Sequence, residues 1–131
     1  MYRFLDHTAE LGLEIEASSL EELLEEAARA FAELIAPDGS GEPVRRRLTL
    51  DPLDEQTLLA DWLNELLFLA ETDGFVPQAL THCERTPTKL EAEVDGYLGE
   101  PRPLVKAATY HGLVLRTSGE GSWMGRVLFD V

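Results

Sequence analysis

Two stretches of this chain repeat their apolar residues every three or four positions, while most of the remainder alternates every second position. A short polypeptide that carries both periods must build helices and strands around a common core. After Ser19, residues Leu20, Leu23, Leu24, Ala27, Ala28, Phe31, Leu34 and Ile35 share one helical face. Ser19 with Glu22 forms a capping-box pattern at the start, and Pro37, Asp38 and Gly39 end the run. The large apolar members of that face, buried at ~1.5–3 kcal/mol each, contribute on the order of 10 kcal/mol before chain entropy is subtracted. The opposite face carries Glu21, Glu22, Glu25, Glu26 and Glu33, a solvated face or one that meets a basic partner.

A second helix is predicted to start near Asp54 and to run through Leu58, Leu59, Trp62, Leu63, Leu66, Leu67 and Ala70 to a stop at Gly74. Phe68 and Leu69 widen its apolar face, which predicts a deeper position than that of the first helix. Strands are expected at Leu11 to Ala17, Val44 to Leu50, Phe75 to Arg85, Lys89 to Tyr97, Lys106 to Arg116 and Trp123 to Val131, with a further short one at Tyr2 to Phe4. Arg46 breaks the inward pattern of its strand, as an edge strand allows. Pro77 interrupts another strand, and Thr117 to Ser122 suits a hairpin connection. The expectation is one α+β domain over residues 1–131, a two-layer sandwich of a mostly antiparallel sheet with two helices packed on one face.

Charge narrows the partners. With 25 acidic residues against 11 basic ones, the formal net charge is −14. Direct nucleic-acid binding is disfavoured, because phosphate contact is driven by Lys and Arg displacing counterions. A basic protein partner fits the balance, as does simple solubility. Cys83 is the only cysteine, so neither an internal disulfide nor a thiolate-rich zinc site is expected, in keeping with a reducing compartment and the cytoplasm. No basic-then-apolar leader and no 18-residue apolar run are present, so neither export nor membrane spanning is expected.

The segment Phe4 to Gly12 concentrates polar groups before a strand. Asp6 and Thr8 suit a turn; alternatively Glu10 is a metal ligand and His7 a contact residue. At the other end, Val127 and Phe129 are expected to face the core, which places Asp130 on the opposite face beside the carboxylate of Val131. Two negative groups at ~4 Å repel by about 4 kcal/mol at an effective dielectric near 20, and hard oxygen donors there suit Ca²⁺, Mg²⁺ or Mn²⁺. In Lys106 to His111, a regular strand puts Lys106 and Tyr110 on one side and His111 on the other, so these three make no compact triad. Cys83 has no partner beyond its neighbour His82, and no Gly-rich phosphate loop is present, so no complete catalytic site is expected.

The stretches Phe4 to Gly12, Leu20 to Leu23, Asp61 to Leu67, Val105 to His111 and Phe129 to Val131, in this order and with this spacing, resemble the archease family over nearly the whole chain. That resemblance implies a non-catalytic activator of an RtcB-type RNA ligase in tRNA splicing and RNA repair. Such a protein promotes guanylylation of the ligase and its multiple turnover, and meets RNA only through the ligase. It further implies a divalent-cation site at Glu10, Asp130 and Val131, with Lys106, His7 and Asp6 as functional or partner-contacting residues. The family usually carries Asp where this chain has Glu10, a longer carboxylate with the same ligand chemistry. Two other readings of the same residues are a stand-alone metal-dependent phosphohydrolase and a general chaperone or interaction module.

Overall fold

The computed structural model describes residues 1–7, 10–52 and 54–131, with Asp6 and His7 described by backbone alone. The order of elements is β1 (Tyr2–His7), β2 (Glu10–Ala17), α1 (Leu20–Ile35), β3 (Glu42–Leu50), α2 (Leu58–Asp73), β4 (Phe75–Thr86), β5 (Lys89–Leu98), β6 (Ala107–Thr117) and β7 (Trp123–Asp130). A 3-10 turn at Glu55–Thr57, capped by the Asp54 carboxylate accepting from the Thr57 N–H, leads into α2. The class is α+β, as expected. The antiparallel strands divide between two sheets, one of four strands in the order β1-β2-β7-β6 and one of three in the order β3-β5-β4. Both helices contact strands of both sheets.

The helices form where the periodicity placed them, and local chemistry fixes their ends. The Ser19 hydroxyl accepts from the Glu22 N–H, which is half of the expected box, while the Glu22 carboxylate reaches one residue further back and accepts from the Ser18 hydroxyl at 2.5 Å. The buried stripe of α1 meets the four-stranded sheet, with the Phe31 and Phe129 rings 6.5 Å apart. Fully buried Trp62 donates its indole N–H to the Leu24 carbonyl at 2.9 Å, joining α2 to α1 and satisfying the one polar atom of a large apolar side chain. Gly125 lies where both helices approach β7. A Cβ there would stand 3.0 Å from a Leu59 methyl and 3.4 Å from Leu23, so the missing side chain lets the layers close.

Two expectations about exposure meet different outcomes. Arg46 does lie on an edge strand, where it reaches Asp73 at 3.5 Å. Phe68, by contrast, is 57% exposed, so it does not carry α2 deeper into the core. It follows Asp61 and Asn64 on the same helical stripe, at spacings of seven and four, and that stripe runs along the rim of β6.

Strand β4 keeps pairing past Pro77 through a register shift between Pro77 and Ala79. Strand β6 is also irregular: Thr109 pairs with Leu128 and Val114 with Arg126, so the four residues Tyr110 to Leu113 on β6 stand against Val127 alone on β7. Gly112, at φ +66°, sits inside that excursion in a conformation that favours glycine. Side-chain parity is therefore not conserved along Lys106 to Arg116, and the regular strand assumed for Lys106, Tyr110 and His111 is not the one present.

Candidate functional site

The ends of the four-stranded sheet meet in one cross-strand row. His7 pairs with Glu10, Glu10 with Asp130, and Asp130 with Ala107. Directly opposed residues of an antiparallel pair share a face. Leu13, Ile15, Val127 and Phe129 are buried beneath the helices, so Glu10 and Asp130, at the alternate parity, belong to the face away from them. The expected meeting of Glu10 with the last residues of the chain is thus a register pair between β2 and β7. Lys106 joins the same corner through its backbone N–H, which donates to the Asp130 carbonyl at 2.8 Å. Val131 follows directly and is 40% exposed. Asp6 and His7 are placed by backbone register only, opposite Leu11 and Glu10, and their expected side-chain roles lie outside the described residues, as does the turn role of Thr8.

Two carboxylates of like charge in direct register repel, and the pairing of strands on both sides holds them there. Their oxygens are the donor type a hard divalent cation prefers. Among the described residues no group of three His, Cys, Asp or Glu side chains gathers as a cation site. Glu10 and Asp130 fit such an ion only with carbonyl oxygens or water filling out its shell.

A neighbouring charge cluster behaves differently. Glu14, in register with Arg3 on one side and Arg126 on the other, accepts from Arg126 at 2.7 Å and from Arg3 at 2.6 Å, tying β1, β2 and β7 across the same outer face. Those bonds, Arg126 first, hold its carboxyl below the usual glutamate range. Eight of the eleven basic residues pair in this way with carboxylates. Lys106 forms no ion pair among the described residues, and its side chain is exposed next to the backbone contact with Asp130.

What holds Lys106 in place was not evident from strand periodicity. Asn64 of α2 donates its amide N–H to the Ala108 carbonyl and accepts from the Ala108 N–H, both at 2.9 Å. One side chain thereby stands in for a missing neighbouring strand. Tyr110 donates its hydroxyl to Asp61, whose acceptance, with burial second, raises the phenol above its ordinary range. Gln56 donates to the Leu115 carbonyl at 2.8 Å. The signal that reveals this lacing is the polar pair Asp61 and Asn64, three apart within an otherwise apolar helix. Cys83 stays apart from the corner, its thiol pushed up to about 11 by burial and then by the Glu21 charge, which suits a packing role.

Comparison with known proteins finds relatives over nearly the full length. The model of the Archease protein family (MTH1598/TM1083) matches residues 2–131. A protein archease of Methanosarcina acetivorans is 33% identical over 141 residues, covering 99% of this chain and 95% of the relative. One from Thermococcus kodakarensis is 30% identical over 135 residues, covering 96% and 95%. Among solved structures, the solution structure of Methanobacterium thermoautotrophicum protein 1598 superposes with a TM-score of 0.74 at 28% identity, covering 99% of this chain and 98% of that one. The crystal structure of an archease from Thermotoga maritima, at 24% identity and a TM-score of 0.68, shares the fold over 97% of this chain and 94% of its own.

Proposed function

Because this chain belongs to the archease family, we propose that it acts as a non-catalytic partner of an RtcB-type RNA ligase, promoting the ligase's guanylylation and multiple turnover in tRNA splicing and RNA repair. The observation that carries the reading is the convergence of Glu10, Asp130 and Lys106, drawn from β2, β7 and the entry to β6, on one corner. The net charge of −14 supports contact with a basic protein surface and leaves RNA to the ligase. Among the described residues no helix is long and apolar enough to cross a membrane, and we place the activity in the cytoplasm.

In this reading Glu10 and Asp130, with oxygens of Val131, hold a divalent cation, Ca²⁺, Mg²⁺ or Mn²⁺. Bound there, the ion would neutralise the carboxylate pair and offer a Lewis-acidic centre to the ligase's nucleotide. The backbones that carry Glu10 and Asp130 are fixed opposite each other, since each is held in the same sheet by its neighbours. Lys106 adds a point charge for a nucleotide phosphate or a ligase carboxylate.

A multiple-turnover ligation assay with the cognate ligase, run with and without this protein, tests the proposal. Added wild-type protein is expected to raise turnover, and Glu10→Ala and Asp130→Ala to lower that stimulation by at least 10-fold with the circular-dichroism spectrum unchanged. Lys106→Ala is expected to lower the rate of guanylylation at every concentration of the accessory protein. Stimulation unaffected by all three variants would remove the corner from the mechanism. Nucleotide or phosphoester hydrolysis by the isolated protein, abolished in Glu10→Ala, would move the assignment to a phosphohydrolase.

A further inference from the structure

The large apolar side chains most exposed among the described residues are Met1, Phe68, Tyr110 and Val131, and the last three belong to the elements that flank Lys106. Val131 follows Asp130, whose carbonyl receives the Lys106 N–H. Tyr110, 54% exposed, lies four residues after Lys106 and is anchored to Asp61. Phe68 is placed by the lacing of α2 to β6. Asp61 meets Tyr110 and Asn64 meets Ala108, so the helix runs antiparallel to the strand. Four further helical residues advance about 6 Å, the rise of about two strand residues, which brings Phe68 level with Lys106.

Singly exposed apolar side chains are ordinary, but several held on neighbouring elements mark an interaction surface. Tyr110 is also pre-organised, because its hydrogen bond to Asp61 removes rotamer freedom that binding would otherwise have to remove. The rim of the patch is acidic. Asp61, Glu65 and Glu71 line the same side of α2, and none forms an ion pair among the described residues.

We propose that Phe68 and Tyr110, with Val131 beside them, form the grip by which the protein seats on its ligase, delivering Lys106 and the carboxylate corner to the ligase's active centre. The proposal rests on the ligase partnership argued above. An enzyme that handles RNA surrounds its channel with Lys and Arg. An apolar patch rimmed by carboxylates that have no cationic partner complements an apolar socket within such a basic surface.

The test is a titration of the full-length protein against a fixed amount of cognate ligase, reading half-saturating concentration and maximal stimulation separately. Phe68→Ala is expected to raise the half-saturating concentration at least 10-fold and to leave maximal stimulation as in wild type, since the ring grips without touching reacting groups. Glu65→Lys is expected to raise it several-fold, with the difference from wild type shrinking as salt is added. Wild-type stimulation accompanied by an unchanged half-saturating concentration in Phe68→Ala overturns the grip and leaves the partnership standing, as does a loss confined to maximal stimulation. No stimulation or binding by wild type overturns the partnership, and the grip with it.

Discussion

At the scale of single residues, the corner carries a trade between stability and use. Glu10 and Asp130 oppose each other in register with like charge, an arrangement that costs a sheet roughly 0.2–1 kcal/mol. Neutralising one member is therefore expected to stabilise the isolated protein. Asp130→Asn should raise the urea midpoint in chelator-treated buffer by an amount corresponding to about 0.5 kcal/mol, while lowering ligase stimulation. Adding Ca²⁺ should raise the midpoint of wild type and leave that of the variant nearly unmoved. A variant less stable than wild type without cation would mean that the pair is not strained.

At the scale of elements, α2 serves β6 as a surrogate neighbouring strand. Asn64→Ala leaves both backbone groups of Ala108 without their partner, a loss of about 1–3 kcal/mol because the site is only partly buried. It should also reduce guanylylation, since Ala108 fixes the entry of Lys106 into the site; equilibrium unfolding and the ligation assay check the two effects separately. Both helices were legible from their period, as was the edge position of β3 from Arg46, because period and inward charge are local properties of the chain. The register of Glu10 with Asp130 could be anticipated only as a meeting of chain ends. The division into two sheets depends on which strands pair at long range, which alternation does not encode. Phe68 misled because apolar character alone does not say which side of a helix is covered. The excursion of β6 around Gly112 escaped notice because a lone glycine in a strand pattern does not specify how many residues bulge.

At the scale of the whole molecule, acid should loosen both sheets through specific carboxylates. Arg126 and then Arg3 hold the Glu14 carboxyl below its ordinary range, and Arg45 does the same for Asp95 in the three-stranded sheet. A carboxyl lowered in the folded state contributes stability above its unfolded pKa and loses that contribution as pH falls through the folded value. A Glu14→Gln, Asp95→Asn double variant is therefore expected to be less stable than wild type near neutrality. The two urea midpoints should converge as pH is brought from roughly 7 down to 2. An offset of constant size across that range would assign the loss to packing.

The pairing of β2 with β7 joins segments whose linked side chains, such as Glu14 and Arg126, stand 112 positions apart in the sequence. Closing so large a loop carries an entropic cost that the packed core between the two strands must offset. Because the strands that bring Glu10 and Asp130 together enclose the whole intervening core, a lesion that unfolds any part of that core also disperses the two carboxylates. The corner exists only while everything folded between its halves does.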